Sequence, residues 1–358
     1  MELAGDHEIL SIENLKGYYR GTFGIVHGID GISLSVKTGE VLGICGESGC
    51  GKSTLAELIT GTPMPLLHYE EGKIILDGFQ IYHIDAEVLR KEVKCKRMSY
   101  VPQASMESLN PVKRIRDFIM DVVRERTGEK PSTKSLDPIK KVRDFIEDIG
   151  SKYPDEQTSR EKILKFAVDH FKRVGLDEKV LNRYPHELSG GMKQRVVIAI
   201  STMWNPKLLI VDEPTSALDV SSQKLMIKML YDLKREGIIE TILFVSHDIP
   251  TLRQLCTRCI VMYAGQIVES GTMDDIVKDP LHPYSQGLIS SIVSFNPDGT
   301  RPSHLESIPG NHPDLRRPPP GCRFHPRCPK VMDICSRESP PMFEPPGKNR
   351  QVACWLFR

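Results

Sequence analysis

The chain lacks any apolar run near the roughly 20 residues that a membrane-spanning helix needs, so no part of its 358 residues is expected to cross a bilayer. Its first residues, Met-Glu-Leu-Ala-Gly-Asp-His-Glu, lack the basic start and apolar core of a secretion signal, which leads to the expectation of a cytoplasmic protein. It also lacks a charge of one sign. Lys and Arg number 48 and Asp and Glu 47, a net charge of +1, so there is no basic excess to suggest a nucleic-acid partner. No repeat recurs at solenoid spacing. Cysteines number nine, an odd count that argues against a disulfide framework in a chain with no export signal. What remains is a chain with 39% hydrophobic residues, long enough for two or three globular domains.

One stretch organises the rest. Gly46-Glu47-Ser48-Gly49-Cys50-Gly51-Lys52-Ser53-Thr54 matches the G-x-x-x-x-G-K-[ST] phosphate-binding pattern. It follows the apolar strand-like run Val41–Cys45 and precedes the helix-like run Leu55–Ile59, the context that the pattern requires. The glycines let successive backbone N–H groups turn into one concavity, and a helix N-terminus adds partial positive charge. Lys52 is placed to reach the β- and γ-phosphates, and Ser53 to offer an oxygen to Mg²⁺.

Segments 8–15 and 31–37 alternate as half-buried antiparallel strands, with a glycine-rich turn expected across 17–24. Residues 112–182 read as helical and more charged. Apolar residues fall at helical spacing in 139–149 and 160–174, and polar loops at 127–137 and 150–160 suggest an insertion. From Leu208 the chain returns to apolar strands (208–211, 241–245, 260–263) alternating with helices, the pattern of a mainly parallel sheet covered on both faces. The fold class is therefore α/β.

Further motifs follow in order. Gln103 comes after a strand and a proline. Leu188-Ser189-Gly190-Gly191-Met192 leads into an apolar helix that Ser189 can cap, leaving backbone donors open to an anion. Asp212 ends the strand at 208–211, where an acidic group can hold Mg²⁺ through water. Glu213 is then a candidate general base for an attacking water. Ser216-Ala217-Leu218-Asp219 follows, and His247 comes after the strand at 241–245. Taken singly, Gln103 and His247 would be ordinary polar strand ends.

Together these residues resemble the nucleotide-binding subunits of ATP-binding-cassette (ABC) transporters. The correspondence covers the Walker A loop (46–54), Q-loop Gln103, the signature (188–192), Walker B (208–213), the D-loop (216–219) and the switch His247. Met192 stands where the commonest signature has glutamine, but Ser189, Gly190 and Gly191 are kept. The resemblance implies ATP and Mg²⁺ as ligands. ATP would be held by Tyr19 stacking on adenine (with Tyr18 the competing choice), by residues 46–54, and by Ser189, Gly190, Gly191 and Asp219. Mg²⁺ would be held by Ser53, Gln103 and Asp212. Catalysis would fall to Glu213, His247, Gln103 and Lys52. It also implies a P-loop fold of the ABC type: a RecA-like core with an antiparallel β subdomain and a helical subdomain. The expected divisions are 1–110, 111–187, 188–295 and a loop-rich extension at 296–358.

Val101–Pro111, His282-Pro283-Tyr284 and the proline-rich tail narrow the resemblance to oligopeptide/dipeptide permease ATPases. A tail so poor in apolar residues needs a staple. Cys322, Cys328, Cys335 and Cys354 offer four thiols spaced C-x5-C-x6-C-x18-C, without the close pair of a zinc ribbon. Four thiolates suit a [4Fe–4S] cluster, which the resemblance implies; zinc and plain thiols stay open. Cys45, Cys50, Cys256 and Cys259 read as structural.

With one Walker A loop and one signature, the chain carries halves of two different sites. The resemblance implies head-to-tail pairing with a second ABC ATPase, a paralogue in preference to a copy, on the cytoplasmic face of two transmembrane permease subunits fed by an extracytoplasmic substrate-binding protein. Residues 103–125 would meet a coupling helix of a permease subunit. Peptides are the default cargo, with oligosaccharides and nickel as relatives' alternatives. A soluble cassette ATPase acting on DNA, ribosomes or metal-cofactor assembly is the other class. The stretch between Walker A and the signature is too short for the coiled coil of DNA-repair versions, and ribosome-acting versions carry two cassettes.

Overall fold

A computed structural model gives the fold and describes residues 7–22, 24–94, 96–127, 156–216, 218–292 and 308–358. The periodic segment at 139–149 and most of the proposed insertion lie outside these, as do Cys95, Ala217 and residues 296–307 of the extension. In chain order the elements are β1 (Glu8–Gly21), β2 (Gly24–Lys37), β3 (Val41–Cys45), α1 (Lys52–Ile59), β4 (Leu67–Leu76), β5 (Phe79–Gln80), β6 (Met98–Val101), α2 (Ile115–Thr127), α3 (Glu156–Arg173), α4 (Gly190–Thr202), β7 (Leu208–Asp212), α5 (Val220–Arg235), β8 (Thr241–Val245), α6 (Ile249–Arg253), β9 (Arg258–Tyr263), β10 (Gln266–Thr272), α7 (Met273–Lys278), α8 (Pro283–Ser290) and β11 (Gln351–Val352). Among the described residues no helix is long and apolar enough to cross a membrane.

Contacts divide the chain into two units. The first comprises Met1–His83, Ile210–Glu213 and Thr241–Arg358. It holds an antiparallel sheet of order β2-β1-β4-β5 and a larger sheet running β11-β10-β9-β3-β8-β7. The β1–β2 hairpin buries one face through the pairs Leu10↔Val36, Ile12↔Leu34 and Leu15↔Ile32. In the larger sheet β3 runs parallel to both neighbours, with Leu42 opposite Leu243 and Ile44 opposite Ile260. Strands β3 and β8 are buried along their whole length, which is why they read as continuous apolar runs and not as alternation.

Two expectations change here. The stretch at 17–24 is not a broad turn: β1 runs on to Gly21 and β2 begins at Gly24, so Tyr18 and Tyr19 sit on a strand. Gly17 is glycine for packing, since a Cβ there would lie 2.3 Å from Leu58 Cδ1. The extension is tied to the first unit by a strand and by buried arginines. Strand β11 pairs with β10 through Glu269↔Val352 and Ser270↔Gln351. Three buried arginines reach inward from the extension: Arg323 to the Asp30 carboxylate and the Ala264 carbonyl, Arg350 to the Asp279 carbonyl at 2.6 Å, and Arg327 to the phosphate loop. Phe324 closes an aromatic cluster with Tyr263 and Tyr284.

The second unit comprises Ile84–Leu209 and Pro214–Glu240. Helix α3 buries Ile163, Ala167, His170 and Phe171 on one face, as its spacing predicts. His170 Nε2 lies 2.9 Å from Thr202 Oγ1 at the end of α4. Burial pushes its pKa down to about 4.

Candidate nucleotide site

In the first unit, β3 ends at Cys45 and α1 begins at Lys52, and the loop between them turns on three glycines with positive φ. At Gly46 (φ 149°) a Cβ would stand 2.3 Å from Met262 O on β9. At Gly51 (φ 107°) it would stand 2.6 Å from Gly28 O. Both close approaches exclude any other residue. Lys52 is buried, with Nζ donating to the carbonyls of Gly46 (2.9 Å) and Glu47 (3.0 Å). The Cys50 thiol is buried against the loop and its pKa is pushed up to about 11, so it is a packing group and not a nucleophile. The first N–H groups of α1 have no partner within the helix, an arrangement suited to an anion.

The ring of Tyr19 packs over Gly28, and its hydroxyl meets Thr54 Oγ1 at 2.9 Å, at the end of the phosphate loop. Tyr18 is turned to other partners: its hydroxyl donates to Asp30 Oδ1 (2.8 Å) and its ring lies 4.3 Å from that of His27. Asp212 ends β7 and is buried. Glu213 follows at φ 47° with its N–H held by Val245 O at 2.9 Å. That left-handed residue turns the side chain off the strand line. Its two carboxylate oxygens lie 2.8 and 2.9 Å from His247 Nδ1. The switch histidine and the candidate base are therefore joined directly.

The remaining predicted residues lie in the second unit. Gln103 is exposed after β6, followed by a turn in which Ala104 has φ 55°. Ser105 Oγ then donates to Gln194 Oε1 at 3.2 Å, a buried link between the Q-loop segment and α4. Ser189 caps α4, accepting from Met192 N at 3.3 Å, and Ser189 and Gly190 are open to solvent. Asp219 caps α5 and accepts from Ser222 N (2.9 Å) and Ser222 Oγ (2.8 Å); these bonds hold its carboxyl below the usual carboxylate range.

The four tail cysteines do not form a metal site in this structure. Cys322 is pushed up to about 11 by burial first and then by Cys335, Cys354 and Cys328, and burial raises Cys328 and Cys354 as well. They share a neighbourhood, but among the described residues no group of three or more His, Cys, Asp or Glu side chains is gathered to hold a metal ion. The expected [4Fe–4S] cluster and its zinc alternative thus find no support in this geometry. The staple inferred for the tail is supplied by its buried arginines and by β11. Those arginines were missed, as was the contact of Tyr284 with the phosphate loop. Their only sequence trace is position: Tyr284 closes the His282-Pro283-Tyr284 motif, and Arg327 adjoins Cys328.

A glycine-built phosphate cradle with a buried lysine, an acidic strand end and a carboxylate paired to histidine defines a P-loop nucleotide hydrolase. Comparison with known proteins takes this further. The ABC transporter family matches residues 29–216, and the oligopeptide/dipeptide transporter C-terminal region matches residues 268–335. The chain is 38% identical to the dipeptide transport ATP-binding protein DppD of Caldanaerobacter subterraneus, over 98% of this chain and 97% of that one. It is 35% identical to the oligopeptide transport ATP-binding protein OppD of Bacillus subtilis, over 98% and 89%. The dimeric structure of the bacterial ABC transporter cassette MJ0796 superposes with a TM-score of 0.56 at 25% identity, covering 74% of this chain and 98% of that one. The chain belongs to the ABC transporter family, as an ATP-binding subunit that hydrolyses ATP in step with transport. The oligosaccharide option finds no support in these relatives.

Proposed function

We propose that the chain energises an importer of dipeptides or oligopeptides. The observation that carries this reading is the match of both the cassette and its C-terminal extension to peptide-transport ATP-binding proteins along nearly the whole length. In this reading residues 46–54 hold the ATP phosphates, Lys52 neutralises their charge and Tyr19 stacks on the adenine. Ser53, Gln103 and Asp212 would hold Mg²⁺, which neutralises developing charge on the phosphates. Glu213 takes the proton of the attacking water while His247 holds its carboxylate in place. Ser189, Gly190, Gly191 and Asp219 serve the nucleotide of a second ATPase, a paralogue, paired head to tail. Closure of that pair drives two permease subunits on the cytoplasmic face between access states, through the region 103–125. A substrate-binding protein delivers the cargo. No step is assigned to a metal at the four cysteines.

The test is reconstitution with two permease subunits, a second ATPase and a substrate-binding protein. Peptide-loaded binding protein should stimulate ATP turnover, and oligosaccharide or nickel should not. Stimulation by sugar or nickel alone would overturn the peptide assignment.

A further inference from the structure

The second residue of the phosphate loop is held from behind by the C-terminal extension. The guanidinium of Arg327 spans both carboxylate oxygens of Glu47, Nη1 to Oε2 at 2.8 Å and Nη2 to Oε1 at 3.1 Å. The Arg327 side chain is 5% exposed and that of Glu47 19%. Arg327 is itself fixed, donating from Nε to Pro309 O at 2.8 Å and from Nη1 to the Tyr263 hydroxyl at 3.3 Å. Gly310 (φ 78°) makes room for it, since a Cβ there would stand 3.2 Å from Arg327 Cγ. A second brace comes from α8. The Tyr284 hydroxyl accepts the Glu47 N–H at 2.7 Å. Its ring is fully buried against Tyr263 and Phe324. The approach to α8 is fixed in turn by Glu269, whose carboxylate accepts the N–H groups of Leu281 (2.8 Å) and His282 (2.9 Å).

Arg327 and Tyr284 thus grip the residue whose carbonyl seats the Lys52 ammonium. A loop turning on three glycines has wide backbone freedom, and nucleotide binding must remove it. A bidentate guanidinium–carboxylate pair fixes plane as well as distance, so it removes that freedom beforehand. We infer that Arg327 and Tyr284 are positioning residues for ATP binding: through Glu47 the C-terminal extension holds the phosphate loop in its binding shape and so sets the nucleotide affinity of the cassette. The inference rests on the loop binding ATP and is independent of the cargo.

The test titrates the full-length chain with a fluorescent ATP analogue, at a temperature where each variant is folded by circular dichroism. Arg327→Gln and Glu47→Gln should each weaken binding about tenfold, and the double variant no further than either, because the contact between the two side chains is lost in each. Arg327→Lys should restore only part of the affinity, having lost the fork geometry. Tyr284→Phe keeps the ring and should weaken binding about threefold by orphaning the Glu47 N–H. In turnover assays the losses should fall on KM more than on kcat, a split that a general loss of stability would not produce. Lys52→Ala reports separately on the loop. If Lys52→Ala abolishes binding while the other variants stay within about twofold of the parent, the brace is refuted with the ATP site intact. Effects of Arg327→Gln and Glu47→Gln that multiply in the double variant refute it too. Should Arg327→Gln not fold, Glu47→Gln and Tyr284→Phe decide the matter.

Discussion

Replacing Glu213 by Gln separates chemistry from binding. The site sits at φ 47°, a conformation strained for any side chain larger than glycine. Gln has the same size and carries the same backbone cost, so that strain does not change. The N–H of residue 213 still reaches Val245 O, which keeps the turn after β7. What changes is the side chain facing His247. Two charge-assisted contacts at 2.8 and 2.9 Å become neutral ones, a loss of about 1 kcal/mol in stability. The proton acceptor for water is lost outright. General-base catalysis contributes about 10²–10⁴ in rate, or about 3–5 kcal/mol of barrier. Turnover in the reconstituted transporter should fall by that factor at saturating ATP, while the dissociation constant for ATP stays within about twofold. Phosphate release and equilibrium nucleotide binding measure the two quantities. A fall in turnover of less than about tenfold, with binding intact, would show that another group takes the proton.

Tyr19→Ala should weaken ATP by about 1–3 kcal/mol, the range for base stacking on an aromatic ring, and Tyr18→Ala by less; the reverse order in a nucleotide titration would assign the adenine to Tyr18. Gly46→Ala should abolish ATP binding and lower the melting temperature, because its Cβ meets Met262 O at 2.3 Å with no flexible group to yield. His282 is buried and accepts the Tyr284 N–H on Nδ1 at 3.0 Å, and burial pushes its pKa down to about 3. It is neutral in the fold and titrates near pH 6.5 when unfolded, so its contribution is present above about pH 6.5 and is lost as pH falls toward 3, by about 1.4 kcal/mol per unit. His282→Asn keeps an acceptor for the cap and should flatten the fall in melting temperature between pH 6.5 and 5. An unchanged slope would show that His282 does not carry the effect.

The nucleotide motifs were legible because each is short and its chemistry is local. Residues 46–54 declare a cradle by their glycines alone, and the structure supplies the reason in the carbonyls of Met262 and Gly28. Strands β3, β7 and β8 were readable because burial on both faces makes each a nearly continuous apolar run. The hairpin of β1 and β2 was cut short in the sequence reading. Gly17 there looks like a turn residue, and nothing local shows that Leu58 packs against it. The tail hides its anchors for the same reason. Its arginines look like surface charge until Asp30, Glu47 and Asp279 are seen to receive them from distant parts of the chain. Their partners are separated by 293, 280 and 71 residues, beyond any local pattern.

The separation of Glu47 from Arg327 also orders events in time. A ribosome adding about 5–20 residues per second needs roughly 14 to 56 s to travel from one to the other. For most of that interval strands β8 and β9, which flank β3, are still to be made, and the guanidinium comes later than either. With the brace inferred above, the cassette reaches its full nucleotide affinity only once the extension has been synthesised and folded back.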